Sequence, residues 1–139
     1  MFPKIADDSV MRDVLTCAQV IAVVGHSDKP DRTSYQIAQF LRRAGYTVYP
    51  VNPLVKEIDQ KPSYSSLRDV PEPIDIVNVF RRSQYLSEIV DEAIATHAKT
   101  IWAQLGISDE LSAQKAIAAG LNVVMNACIK IEYLRLGIG

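Results

Sequence analysis

Five short segments of this 139-residue chain combine amides, hydroxyls and cations without a carboxylate among them. They are Gly25-His26-Ser27, Val51-Asn52-Pro53, Phe80-Arg81-Arg82-Ser83, Gln104-Leu105-Gly106 and Asn126-Ala127-Cys128. Donors of these types suit an anionic ligand, whereas a metal would call for clustered carboxylate, His or Cys ligands. The first segment runs on through Lys29, Pro30 and Arg32 to Ser34. A glycine closing a strand, followed by a helix starting near Ser34, would aim backbone N–H groups at a phosphate. Lys29 and Arg32 would add charge there, and one of Arg81 and Arg82 is expected to touch the same anion. Two nucleotide signatures are missing. Gly25 is the only glycine of its loop, so G-x-G-x-x-G is absent, and Val51-Asn52-Pro53 stands where an acid would hold a ribose 2′-OH. No Walker-type phosphate loop occurs either, so NAD and ATP are disfavoured while a phosphate-bearing ligand is not.

Covalent chemistry is thinly represented. His26 adjoins Ser27, but no orienting acid or oxyanion site accompanies them, so His26 reads as a phosphate donor or a plain loop residue. Cys128 falls near a helix start, where a thiolate is stabilised and mixed-disulfide exchange with a thiol ligand is conceivable. The other reading is a small buried hydrophobe. Cys17 lies on an apolar helical stripe and is expected in the core. His97 falls near a helix C-terminus, where a structural role is expected.

The elements that must position these segments alternate in period. Asp7 or Asp8 can cap a helix with Val10, Met11, Val14, Leu15 and Ala18 on one face. Val20 to Val24 is an unbroken apolar run, the mark of a strand covered on both sides. Further strands are predicted over 46–51, 74–80, 99–104 and 121–125. Helices capped by Ser34, Ser83 and Ser108 lie between them, and one over 129–136 closes the pattern. Gly45 and Gly120 end two of these helices. Residues 61–70 read as turns with a single helical turn among them. Strands alternating with helices predict an α/β fold, a three-layer αβα doubly wound Rossmann-like sheet of five mainly parallel strands. The chain reads as one domain over 1–139.

Composition narrows the partners. Hydrophobic residues make up 48% and charged residues 22%, with 15 Lys+Arg against 16 Asp+Glu. That balance argues against a general nucleic-acid or membrane-surface binder. Apolar runs are strand-sized, too short to span a bilayer. The first residues show no continuous apolar core of a secretory signal. Two cysteines make no disulfide framework, so a reducing cytoplasm is the expected location.

Five stretches in order carry a family resemblance: VVGHSDKPDRTS at 23–34, GYTVYPVNP at 45–53, YSSLRDVPEPIDIVNVF at 64–80, IWAQLGI at 101–107 and AGLNVVMNACIKIEYLRL at 119–136. With them the chain resembles the stand-alone CoA-binding domain family, similar to the CoA-binding half of the succinyl-CoA synthetase alpha subunit. The resemblance implies a Rossmann-like domain holding coenzyme A, or an acyl-CoA, across its strand ends. Gly25, His26, Ser27, Pro30 and Arg32 would then hold the diphosphate, with Val51, Asn52 and Pro53 beside the adenine and ribose. Phe80 and Arg81 would wall the pocket, and Gln104, Leu105 and Gly106 would approach the pantetheine arm. Two residues depart from the family pattern. His26 replaces a residue that is commonly small, and Leu54 replaces a lysine, leaving Lys56 as the nearest cation.

In succinyl-CoA synthetases the phosphorylated histidine lies in a second domain, which this chain is expected to lack. The resemblance therefore implies a carrier, sensor or regulatory module without its own catalysis, working alone, as a homodimer or with another protein. Two rivals stand beside it: an NAD(P)-dependent oxidoreductase with a degenerate fingerprint, and a protein-interaction or redox-sensing module that has lost its ligand.

Overall fold

Residues 6–139 are described by a computed structural model; residues 1–5, where the reading of no secretory apolar core begins, lie outside it. Asp7 caps α1 (Asp8–Cys17), its carboxylate accepting from the Val10 N–H at 3.0 Å. Strand β1 (Val20–Val24) follows, every residue buried, then α2 (Thr33–Arg43) and the edge strand β2 (Thr47–Val51). A small hairpin, β3 (Glu57–Ile58) and β4 (Lys61–Pro62), interrupts the alternation. Then come β5 (Ile76–Val79), α3 (Leu86–Ala95), β6 (Thr100–Ala103), α4 (Glu110–Ala118), β7 (Asn122–Val124) and α5 (Ile129–Arg135).

The main sheet has the order β2-β1-β5-β6-β7, and every pairing is parallel. Alternation along β1 divides the core. Ala22 and Val24 join the side that packs on α3 and α4, while Ile21 and Val23 join the side packed on α1, α2 and α5. The expected three-layer Rossmann-like architecture is therefore present. The chain runs outward from β1 to β2 and then crosses back to β5. The topological switch point consequently lies between β1 and β5.

Three predicted caps shift. Ser34 lies inside the first turn of α2, whose N-cap is Arg32 with no side-chain hydrogen bond. Ser34 is buried, and its hydroxyl instead accepts from the Ser27 N–H at 2.9 Å. Ser83 begins a single 3-10 turn ahead of α3, and its hydroxyl accepts from the Ser108 N–H at 3.0 Å. Asp109, not Ser108, is the cap of α4, accepting from Ser112 N–H at 3.0 Å. Cys17 is exposed rather than core, because Met11, Val14 and Leu15 carry the buried stripe of α1. His97 is exposed and adopts a positive φ of 60° just beyond α3, so a backbone turn, not packing, is what it supplies.

Hairpin β3–β4 is not among the predicted elements, and only β4 falls within the turns expected over 61–70. The hairpin's two central residues, Asp59 and Gln60, both take positive φ (52° and 70°), the geometry of a type I′ turn. Asn-Gly would have announced that turn, but Asp-Gln does not.

Candidate functional site

The carboxyl ends of β1, β2 and β5 are stitched together by backbone hydrogen bonds. Gly25 N–H donates to Val51 C=O at 2.8 Å, and Phe80 N–H donates to Val24 C=O at 2.9 Å. Gly25 holds φ +88°, and a Cβ there would meet Arg81 Cδ at 3.3 Å and the Phe80 backbone carbon at 3.4 Å. Glycine thus permits both the turn and the approach of the β5 loop. The two loops predicted to face a ligand meet at the switch point.

Above them the loop 25–32 is fixed from within. Ser27 Oγ accepts from Lys29 N–H at 3.0 Å, and Arg32 N–H donates to Lys29 C=O at 3.0 Å. Asn52 Nδ2 donates to His26 C=O at 2.9 Å, while its Oδ1 accepts from Leu54 N–H at 3.0 Å. One amide therefore ties the loops after β1 and β2. With Arg32 at the N-cap and no side-chain acceptor in place, the first-turn N–H groups of α2 have no capping side chain. Lys29, Pro30, Arg32, Pro53, Lys56 and Arg82 are exposed around this end of the sheet, and Ser27, Asn52, Phe80 and Arg81 are half-buried. The Arg81 guanidinium carbon lies 4.2 Å above the Tyr85 ring, which holds the charge at the rim. Beneath it a crevice of about 310 Å³ is lined by Val24, Val51, Pro53, Leu67, Arg81 and Tyr85, among others.

His26 corrects the sequence reading. Its side chain is fully buried. Arginine can only donate, so the 3.2 Å contact from Arg42 Nη1 makes Nε2 the acceptor and places the ring proton on Nδ1. Nδ1 then donates to the Ser27 carbonyl at 2.8 Å. Desolvation drives the imidazole pKa from 6.5 down to about 4, against the pull of the Ser27 hydrogen bond and with help from Arg42. A neutral ring with both nitrogens engaged is no donor to phosphate.

The remaining segments divide. Leu105 and Gly106 are exposed at the end of β6, and Gly106 N–H donates to Asn126 Oδ1 at 2.7 Å. Asn126 is thus used inside the protein as a brace for that loop. Gln104 is 5% exposed and Cys128 8% exposed, the latter at the N-cap of α5 without a side-chain capping bond. Ser34 supports Ser27 from below rather than facing solvent. Sequence reasoning missed Asn78, a fully buried amide in β5 that bonds to Gln104. Its polar type within an apolar strand was the available signal. Among the described residues no cluster of three His, Cys, Asp or Glu could hold a metal, and no helix is long and apolar enough to cross a membrane.

A parallel sheet with an uncapped helix and cationic loops at its switch point defines a Rossmann-like α/β domain. More narrowly, the chain belongs to the CoA binding domain family, whose model matches residues 19–134. It is 42% identical over 123 residues to the uncharacterized protein YneT of Bacillus subtilis, covering 88% of this chain and 91% of that one. A solved hypothetical protein from Pyrococcus horikoshii superposes with a TM-score of 0.90 at 37% identity, covering 94% of this chain and 92% of that one. An ADP-forming acetate-CoA ligase of Archaeoglobus fulgidus is 32% identical over 74 residues, which are 53% of this chain and 11% of the ligase.

Proposed function

We propose that the chain, as one domain, binds coenzyme A or an acyl-CoA across the carboxyl ends of β1, β5 and β6, as a carrier, sensor or regulatory module without its own catalysis. The observation that carries this reading is the meeting of Gly25 with Phe80 and Arg81 on a loop that Ser27 ties to Ser34 in the uncapped first turn of α2. Free helix donors and nearby cations at a switch point fit a diphosphate. Membership of the CoA binding domain family and similarity to a CoA ligase support coenzyme A as the nucleotide.

In this reading Ser27, Arg32 and the first turn of α2 hold the diphosphate, with Lys29 and Arg82 contributing charge. Val51, Asn52 and Pro53 flank the adenosine, and Lys56 is the cation for its 3′-phosphate. Phe80 and Arg81 form the wall, and Gln104, Leu105 and Gly106 follow the pantetheine arm. The absence of catalysis rests on two residues. The His26 ring is committed to Arg42 and Ser27, and the Cys128 thiol is buried.

Thermal unfolding against CoA, dephospho-CoA, acetyl-CoA, NAD, NADP and ATP tests the proposal. A ligand at about 100 times its Kd adds roughly 2.7 kcal/mol, several degrees of midpoint at this size. A rise with CoA that shrinks for dephospho-CoA is expected. No rise with CoA, or a rise only with NAD or NADP, would overturn the reading.

A further inference from the structure

Two buried amides on one face of the sheet fix each other's orientation. Asn78 Nδ2 donates to the Trp102 backbone carbonyl at 3.3 Å and to Gln104 Oε1 at 3.0 Å. Ile129 N–H donates to the same Oε1 at 2.9 Å. A backbone carbonyl only accepts and a backbone N–H only donates, so neither side-chain amide can be turned round without breaking a bond. Gln104 Oε1 therefore faces inward with two donors on it. Its Nε2 keeps both hydrogens, and among the described residues nothing accepts from it.

Asn78 Oδ1 is also without a partner, although the residue is fully buried. An unsatisfied carbonyl in a core is destabilising, and an apolar residue of similar size would remove it. The asparagine nonetheless stands there with that oxygen unpartnered. What it does supply is the donor that holds Gln104 in its observed orientation.

We infer that Asn78 is a positioning residue that presents the Gln104 amide N–H groups to a carbonyl oxygen of the bound ligand's arm. The inference rests on the CoA reading above and goes further, since it names the recognised group. Two carbonyl sources share that chemistry, the amides of the pantetheine arm and the thioester of an acyl-CoA.

Gln104→Glu separates them. The glutamate keeps an inward oxygen for Ile129 and Asn78, so the fold retains its acceptor, but an outward carboxylate oxygen replaces the donor. Calorimetric affinities would be measured for 3′-phospho-ADP, which lacks the arm, for CoA and for acetyl-CoA. A loss of about tenfold for CoA and acetyl-CoA, with 3′-phospho-ADP unchanged, is expected if a pantetheine amide is read. A loss confined to acetyl-CoA assigns the thioester carbonyl instead. Asn78→Leu, which removes the donor to Gln104 Oε1 along with the unpartnered Oδ1, should show the same ligand pattern more weakly when measured well below its unfolding midpoint. Unchanged affinities in Gln104→Glu, or an equal loss for all three ligands, would overturn the inference while leaving CoA binding intact. Failure of the wild type to bind any of the three would overturn the CoA reading itself.

Discussion

Arg42 Nη1 lies 3.2 Å from His26 Nε2, a hydrogen bond in which a cation donates to a buried neutral imidazole. The same Nη1 donates to Gln39 at 2.8 Å, so Arg42 is anchored on its own helix. This pair joins the last turn of α2 to the loop after β1, while Asn52 joins that loop to the end of β2. Tyr35 meets the His26 ring edge-on and donates to Asp59 at 2.8 Å, bringing the β3–β4 hairpin into the same assembly. A residue that the sequence offers as a phosphate donor is thus an internal support of the loop after β1.

Stability should consequently fall in mild acid. The His26 pKa is held at about 4 in the folded chain against 6.5 for the free group, so the unfolded chain binds the proton first. The stabilisation is present above pH 6.5 and is lost as pH falls toward 4, by on the order of 3 kcal/mol in all. Urea unfolding at pH 7, 5.5 and 4.5 would read it. His26→Ala should be less stable at pH 7 and should lose this part of the slope. Parallel curves for the two proteins would refute the assignment.

Much of this was legible because it depends on short-range pattern. The five strands are the apolar runs, and their alternation with helices dictates parallel order through the handedness of crossovers. Asp7, Gly45 and Gly120 act locally, and their turns follow from their types. What escaped depends on partners distant in sequence. Ser34, Ser83 and Ser108 looked alike as caps, yet two of their hydroxyls are taken by backbone groups 7 and 25 residues away. The His26 contact with Arg42 and the Asn78 contact with Gln104 span 16 and 26 residues, and only the folded sheet brings them together. For the site, the strand-end segments were identifiable from topology. Which side chains face outward was not, because burial is decided by neighbouring elements.

Gly25→Ala should damage both fold and site. The substitution puts a Cβ at φ +88° and against Arg81 and Phe80 at 3.3–3.4 Å. A backbone cost of about 1–3 kcal/mol is expected from the left-handed conformation. Differential scanning calorimetry should show the midpoint falling by several degrees, and CoA affinity should drop with it. A variant as stable as the wild type would mean that the β5 loop yields without strain.

Charge at the rim should carry affinity rather than stability. Arg81→Ala removes a guanidinium held over Tyr85 in the wall of the site, and the loss of that positive charge near the phosphates should weaken binding about tenfold. Titrations at low and high salt should show a smaller salt dependence for the variant than for the wild type. Lys99 sits at the opposite end of the sheet and is the control: Lys99→Ala should bind CoA like the wild type. Equal losses for both variants would indicate a general charge effect and not a contact.

Asp75 makes the reverse prediction, stability without affinity. Its carboxylate accepts from Gln19 N–H at 2.8 Å and Val20 N–H at 2.9 Å, with Lys99 Nζ at 3.4 Å. Partial burial alone would raise its pKa, but the two backbone donors and the lysine hold it below the usual 3.8. The stabilisation is therefore present above pH 3.8 and lost as pH falls below it. The lysine is largely exposed, so the backbone donors carry most of the effect. Asp75→Ala leaves those donors at the start of β1 without their acceptor and should cost about 1–3 kcal/mol. Asp75→Asn, which keeps one oxygen, should cost less, and Lys99→Ala least of all. Because Asp75 precedes β5, at the far end from Gly25, all three proteins should keep wild-type CoA affinity when measured well below their unfolding midpoints. A loss of CoA affinity in folded Asp75→Asn would show that the two ends of the sheet are coupled.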